Sequence, residues 1–254
     1  MPYGAIERLS GPHGELAFES ASAAAPTRVW LSGFRSDMNG TKASALAARA
    51  SAAGAAFVRF DYSGCGQSAG TFEEGSISRW LADTLAVIDA VTTGPLLLIG
   101  SSMGGWLALL AALERPERIA GLVLIAPAPD FTERLMWADL SDEARDAINR
   151  DGVWMQPSAY GDGPYPITRT LIEDGRSHLL LDAPIPIKAP VHIVHGQSDP
   201  DVPWGLSLEL AERLESEDVR MTFVKSGDHR LSTPADLSLL AAVVDEMAER
   251  VRAG

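Results

Sequence analysis

Cysteine is almost absent from this sequence, and so are long apolar runs and any concentration of positive charge. A single cysteine, Cys65, in 254 residues permits no internal disulfide and no cysteine-based metal cluster, which fits a reducing compartment. No stretch reaches the roughly 18 consecutive apolar residues that mark a bilayer-spanning helix. Lys and Arg number 21 against 34 Asp and Glu, a formal net charge of −13 with no basic cluster. That balance argues against nucleic acid and anionic membrane surfaces as partners. The N-terminal MPYGAIERLS carries neither the basic segment and apolar core of a secretory signal nor an Arg-rich amphipathic helix, so the expected location is the cytoplasm.

What is present is alternation. Short apolar runs rich in β-branched residues, TRVWL (Thr27 to Leu31), AAFVRF (Ala55 to Phe60), PLLLI (Pro95 to Ile99), IAGLVLIA (Ile119 to Ala126), VHIVH (Val191 to His195) and VRMTFV (Val219 to Val224), read as strands. Helical patterns separate them, notably Ser76 to Val91 with Trp80, Leu81, Leu85 and Ile88 at helical spacing. An opening hairpin is expected from Gly4 to Leu9 and Glu15 to Glu19 around the turn GPHG. Strand–helix alternation predicts an α/β fold, a mostly parallel sheet with helices on both faces whose ligands sit beyond the carboxyl ends of the strands. The rhythm breaks from Asp130 to about Ala189, a stretch carrying Trp137, Trp154, Tyr160 and Tyr165, so the expectation is one domain over residues 1–254 with a cap insertion at about 130–189.

One segment stands out chemically. IGSSMGGWL contains G-x-S-x-G, with Ser102 between Gly100 and Gly104, directly after a strand and before a helix. A serine on such a turn projects clear of the sheet, toward the first N–H groups of the helix. It needs a base, and of five histidines His229, in the loop SGDHR after the last strand, lies on the sheet edge where Ser102 emerges. The base needs a carboxylate to orient it. Asp199, in HGQSDPDVPW after the strand VHIVH, fits; Asp201 and Asp130 are rivals, and Asp228 is too close in sequence to face His229. The chain order serine, acid, histidine is the one found in α/β hydrolases. Two N–H donors for a tetrahedral oxyanion are expected from Met103, the residue after the serine, and from Phe34, in the loop after TRVWL. The apolar residues Met136, Trp137, Trp154 and Met155 of the insertion, with Phe34, are candidates for an acyl pocket.

His192 and His195 stand three apart in one strand and so face opposite sides of the sheet, which spoils a shared metal site. No metal and no cofactor are expected, and the loop DYSGCGQSAG lacks a dinucleotide fingerprint.

The sequence resembles the α/β-hydrolase superfamily through GSSMGG, HGQSDPDVP and DHR. It is similar in particular to the branch of the mitochondrial palmitoyl-protein thioesterase that also cleaves mycophenolic acid acyl-glucuronide. That second likeness rests on LSGFRSDMNGTKA, RFDYSGCGQSAG, GSSMGGWLAL, GVWMQPSAY, the DAPIPI run and SGDHRLS. The resemblance implies Ser102 as nucleophile, Asp199 as acid and His229 as base. It also implies a thioesterase or carboxylesterase acting on long acyl chains or acyl-glucuronides, with a small-molecule or acylated-protein substrate. A broad small-ester carboxylesterase and a non-catalytic hydrolase-like binding protein are the competing expectations.

Overall fold

The computed structural model describes residues 5–157 and 163–253. Gly4 of the expected hairpin, and Ser158, Ala159 and Tyr160 of the motif GVWMQPSAY, lie outside the described residues. The chain opens with the hairpin β1 (Glu7–Gly11) and β2 (Gly14–Ala21), paired antiparallel. Then follow β3 (Thr27–Leu31), α1 (Thr41–Ala52), β4 (Phe57–Phe60), α2 (Ile77–Val91), β5 (Leu96–Ser101), α3 (Met103–Glu114) and β6 (Ile119–Ile125). After an intervening segment come β9 (Val191–Gly196), α6 (Gly205–Arg213), β10 (Val219–Val224) and α7 (Pro234–Ala253).

These strands form one eight-stranded sheet in the order β1-β2-β4-β3-β5-β6-β9-β10. Its pairings from β4 to β10 are all parallel, while β2 meets β4 antiparallel. β5 lies in the interior of the sheet, buried along its whole length. Its alternate residues feed two cores: Leu96 and Leu98 join the cluster beneath α2, α3 and α6, and Leu97 and Ile99 join the one beneath α1 and α7. α3 is buried on nearly every side, Met103 through Ala112, as an apolar helix in the middle of an α/β layer must be.

The stretch from Asp130 to Ala189 contains more regular structure than its sequence suggests. A π-helical turn (Thr132–Trp137) leads to α4 (Asp142–Asp151), the hairpin β7 (Val153–Gln156) and β8 (Tyr165–Thr168), and α5 (Arg169–Arg176). Ser141 and Thr168 cap α4 and α5 by accepting from the Ala144 and Leu171 N–H groups. Leu140, Ala144, Ile148, Ile167 and Ile172 form a separate small core. At its base, the buried Asp130 accepts hydrogen bonds from Leu180 and Leu181 N–H at 2.8 and 2.9 Å, fastening the start of the segment to its end.

α3 approaches the end of β3 so closely that a Cβ on Gly104 would collide with the Leu31 carbonyl, backbone that cannot swing away. Gly205, at the start of α6, has open space around it. Gly104→Ala should therefore lower stability by roughly 3 kcal/mol or more, whereas Gly205→Ala should be neutral or stabilising by up to about 0.5 kcal/mol. Urea midpoints of the two variants measure the difference.

Candidate active site

The site is built where β5 turns into α3. A Cβ on Gly100 would strike the Gly104 carbonyl, and one on Gly105 would press on Pro127, so only glycines let strand and helix pass at this separation. The turn is closed by Ser102 itself, held at φ 55° and ψ −120°, a left-handed backbone that a non-glycine residue rarely adopts. Three backbone hydrogen bonds fix it: Ser102 N–H donates to Ile125, and its carbonyl accepts from Gly105 and Ala128.

His229 and Asp199 converge on this serine from two other strand ends. Ser102 Oγ lies 3.1 Å from His229 Nε2, and His229 Nδ1 lies 2.7 Å from Asp199 Oδ2. With Nδ1 donating to the carboxylate, Nε2 is left to accept the serine hydroxyl. A Cβ on Gly196, at the end of β9, would collide with the Gly227 carbonyl, so the loop bearing His229 packs directly on the strand that leads to Asp199. The Asp199 side chain is fully buried while that of His229 keeps one-fifth of its exposure. Burial pushes the Asp199 carboxyl up, but hydrogen bonds from His195 and His229, the charge of His229 and the Val202 N–H outweigh it and hold the group well below the usual carboxylate range.

The carboxylates of Asp130 and Asp228 are engaged elsewhere. Asp130 receives Leu180 and Leu181, Asp228 accepts from Leu231 N–H, and Asp201 is exposed and gives its N–H to Asp199 Oδ1. Asp199, Asp201 and His229 have potential ligand atoms within 4.8 Å of one another. Both Asp199 oxygens and both His229 nitrogens already take part in the hydrogen bonds just described. His192 bonds Thr222 on β10, while His195 reaches Ser207 on α6.

The loop after β3 runs alongside Ser102: a Cβ on Gly33 would lie 3.4 Å from Ser102 Cβ. It turns tightly, with Ser36 N–H donating to Gly33 and Arg35 held at φ 58°. Asp61 accepts from Met38 N–H at 2.7 Å, and Arg59 donates to the Met38 carbonyl while paired with Glu19. Among the described residues, neither Phe34 N–H nor Met103 N–H has an acceptor, which leaves two donors near the serine uncommitted.

Around Phe34 the structure gathers aromatic rings that no sequence spacing connects. Phe72, Phe131, Trp80 and Tyr165 lie with ring centroids 5.2, 5.6, 6.0 and 6.1 Å from it. They come from four separate segments. Arg35 stacks over Tyr165 at 4.2 Å, tying the loop to β8.

The other residues considered for the acyl pocket are placed differently. Met136 touches both the main core and the small core of the insertion; Trp137 and Trp154 pack against the small one. Met155 is 49% exposed and faces an outer groove with Glu143, Asp146 and Arg150. Trp154, its neighbour in the strand, borders the same outer groove.

With the geometry in hand, comparison with known proteins places the chain. The profile of the serine aminopeptidase S33 hydrolase family matches residues 29–155. The mitochondrial palmitoyl-protein thioesterase ABHD10 of Bos taurus is 39% identical over 248 residues, covering 97% of this chain and 81% of the relative. Its Homo sapiens counterpart is 38% identical, over 93% of this chain and 77% of the relative. The solved structure of the mouse α/β-hydrolase domain-containing protein 10 superimposes with a TM-score of 0.90 at 37% identity, covering 98% of this chain and all of that one.

These relatives correct one expectation. They are named as mitochondrial, so the expected cytoplasmic location is not supported. A single cysteine reports a reducing environment and does not distinguish between reducing compartments. Among the described residues, no helix is long and apolar enough to cross a membrane. On the strength of these matches the chain belongs to the α/β-hydrolase family, in the branch of the ABHD10 thioesterases, and is an enzyme of the hydrolase class.

Proposed function

We propose that the enzyme cleaves acyl thioesters and carboxylic esters by two-step acyl transfer through Ser102, His229 and Asp199. The observation that carries this reading is the unbroken line from Ser102 Oγ through the His229 ring to Asp199 Oδ2, at 3.1 and 2.7 Å, on a strained strand-to-helix turn. His229 Nε2 takes the Ser102 proton as Oγ attacks the carbonyl carbon. The oxyanion that forms accepts from Phe34 and Met103 N–H, and on its collapse the leaving thiolate or alkoxide takes the proton from His229. Water then repeats the sequence on the acyl-enzyme and releases the acid. No cofactor enters these steps.

Thioesters are favoured as substrates by the names of the relatives that match most of the chain. We place the acyl group against Phe34, Phe131, Tyr165 and Met136, and read residues 1–254 as one unit in which the segment at about 130–189 caps the site. A second reading, preference for short acyl esters, is favoured by the close packing of rings about Phe34, four of them within 6.1 Å.

Hydrolysis of an S-palmitoyl peptide beside a short-chain p-nitrophenyl ester decides between them. Faster turnover of the palmitoyl substrate, lost with Ser102→Ala by roughly 10³-fold or more, is the outcome that fits the first reading. Turnover of the short ester alone moves the function to the second, and activity surviving in Ser102→Ala removes the nucleophile. Phe131→Leu should change the ratio of long-chain to short-chain rates, while Met155→Ser should leave that ratio within about 2-fold, Met155 being on the outer face.

The pH dependence has a definite sign. A carboxylate held below its unfolded value of about 3.9 gives its full stabilisation above that pH and loses it as pH falls through the lower folded value. Asp199 therefore stays ionised wherever the enzyme is active, and its protonation should not appear as the acid limb of kcat/KM. Asp199→Asn should cut kcat by roughly 10³–10⁴-fold with the fold intact, as judged by its circular dichroism.

A further inference from the structure

Asp199 is held by more than the triad requires. Its Oδ1 accepts the N–H groups of Asp201 and Val202, both at 2.8 Å. Its Oδ2 accepts both His229 Nδ1 at 2.7 Å and His195 Nε2 at 3.2 Å. His195 is a completely buried histidine inside a sheet core, at the end of β9. An imidazole in that setting forfeits its hydration, so its hydrogen bonds have to come from the protein.

The network fixes the His195 tautomer. Nε2 faces two groups that can only accept, Asp199 Oδ2 and the Val202 carbonyl at 3.1 Å, so Nε2 carries the hydrogen. In a neutral ring Nδ1 then has a lone pair to fill, and the hydroxyl of Ser207, equally buried on α6, lies 2.6 Å away to donate into it. Hydrogen bonds thus run in two directions into one carboxylate: Ser207 to His195 to Asp199 from within the core, and His229 to Asp199 from the site. Because both rings share Oδ2, the His195 N–H draws off part of the negative charge that His229 feels and sets the plane in which the carboxylate lies.

We propose that His195, with its tautomer set by Ser207, is a positioning residue for the acid of the triad, fixing the Asp199 carboxylate and moderating its charge on His229. The proposal rests on the Ser102–His229–Asp199 reading. It differs from a packing role in what it demands of the proton balance at His229. Loss of the His195 N–H leaves more charge on Oδ2, which favours the imidazolium, so the acid limb of kcat/KM moves to higher pH. Charged side chains near this pair include Asp201 and Lys42, the latter interacting with Asp199 and also with Asp228, Arg230 and Asp236. None of them is altered in the variants below.

His195→Phe, His195→Gln and Ser207→Ala, with Ser102→Ala alongside, would be assayed on one p-nitrophenyl ester across pH, with urea midpoints to establish that each is folded. His195→Phe should lower kcat about 10- to 100-fold with KM within about 2-fold, and move the acid limb up by about 0.5 to 1 pH unit. His195→Gln, whose amide can still donate to Asp199, should recover most of both; Ser207→Ala should shift the limb the same way by less. A folded His195→Phe with an unmoved acid limb overturns the proposal, whatever its kcat. If His195→Phe does not fold, an unmoved limb in Ser207→Ala overturns it instead. Full activity in Ser102→Ala would mean that the triad reading itself has failed, a result separate from either of these.

Discussion

The constraint on which the rest of this structure depends is steric: the backbones of β3, β5 and α3 pass one another at distances that admit no Cβ. Gly104 lies against the Leu31 carbonyl, and Gly100 lies against Gly104. With both neighbours forced to be glycine, the strain of the sharp turn falls on Ser102, which adopts φ 55°. A strained residue persists only where its surroundings over-determine it. Here the surroundings are an interior strand buried throughout and a helix buried on almost every side, both parts of the main core.

That arrangement also sets where the partners must come from. In a parallel sheet every strand delivers its following loop to the same edge, so the loops after β9 and β10 arrive beside the turn after β5 without any local signal. Asp199 and His229 are 30 residues apart in sequence yet 2.7 Å apart in space. A second close approach, Gly196 against the Gly227 carbonyl, brings their two loops into register. The geometry of the site is thus a consequence of sheet order and of a few positions where side chains are forbidden.

This explains which parts were legible in the sequence. The strand runs TRVWL, IAGLVLIA, VHIVH and VRMTFV match strand positions within a residue or two because continuous apolar runs have few alternatives in a parallel sheet. Helix α3 begins at Met103, immediately after the serine, and the glycines Gly104 and Gly105 mask that start in the sequence. The segment after Asp130 was harder to read. Its hairpin strands are four residues each, its first helical turn is of the π type, and its core has five buried side chains, too few to imprint a period on the sequence. Trp154 and Trp137 are conspicuous in the sequence as large aromatics, and in the structure both pack against the small core of this segment. The rings that do surround Phe34 were invisible for the opposite reason: Phe72, Trp80, Phe131 and Tyr165 belong to four segments and meet only in three dimensions.

The chemistry and the selectivity of this enzyme are therefore encoded in different ways. The groups that would move protons sit on rigid strand ends, specified by glycines and by buried hydrogen bonds, and small changes there are costly. The rings that would meet an acyl group are shared between the loop after β3 and the insertion, joined through Arg35 stacked on Tyr165. A substitution in the segment after Asp130 can reshape that surface without touching Ser102, His229 or Asp199, because that segment has its own small core and Asp130 fastens its start to Leu180 and Leu181. The turn after β5 and the rings about Phe34 can thus vary independently, so under the proposed function the acyl preference of this chain is set by those rings rather than by Ser102, His229 and Asp199.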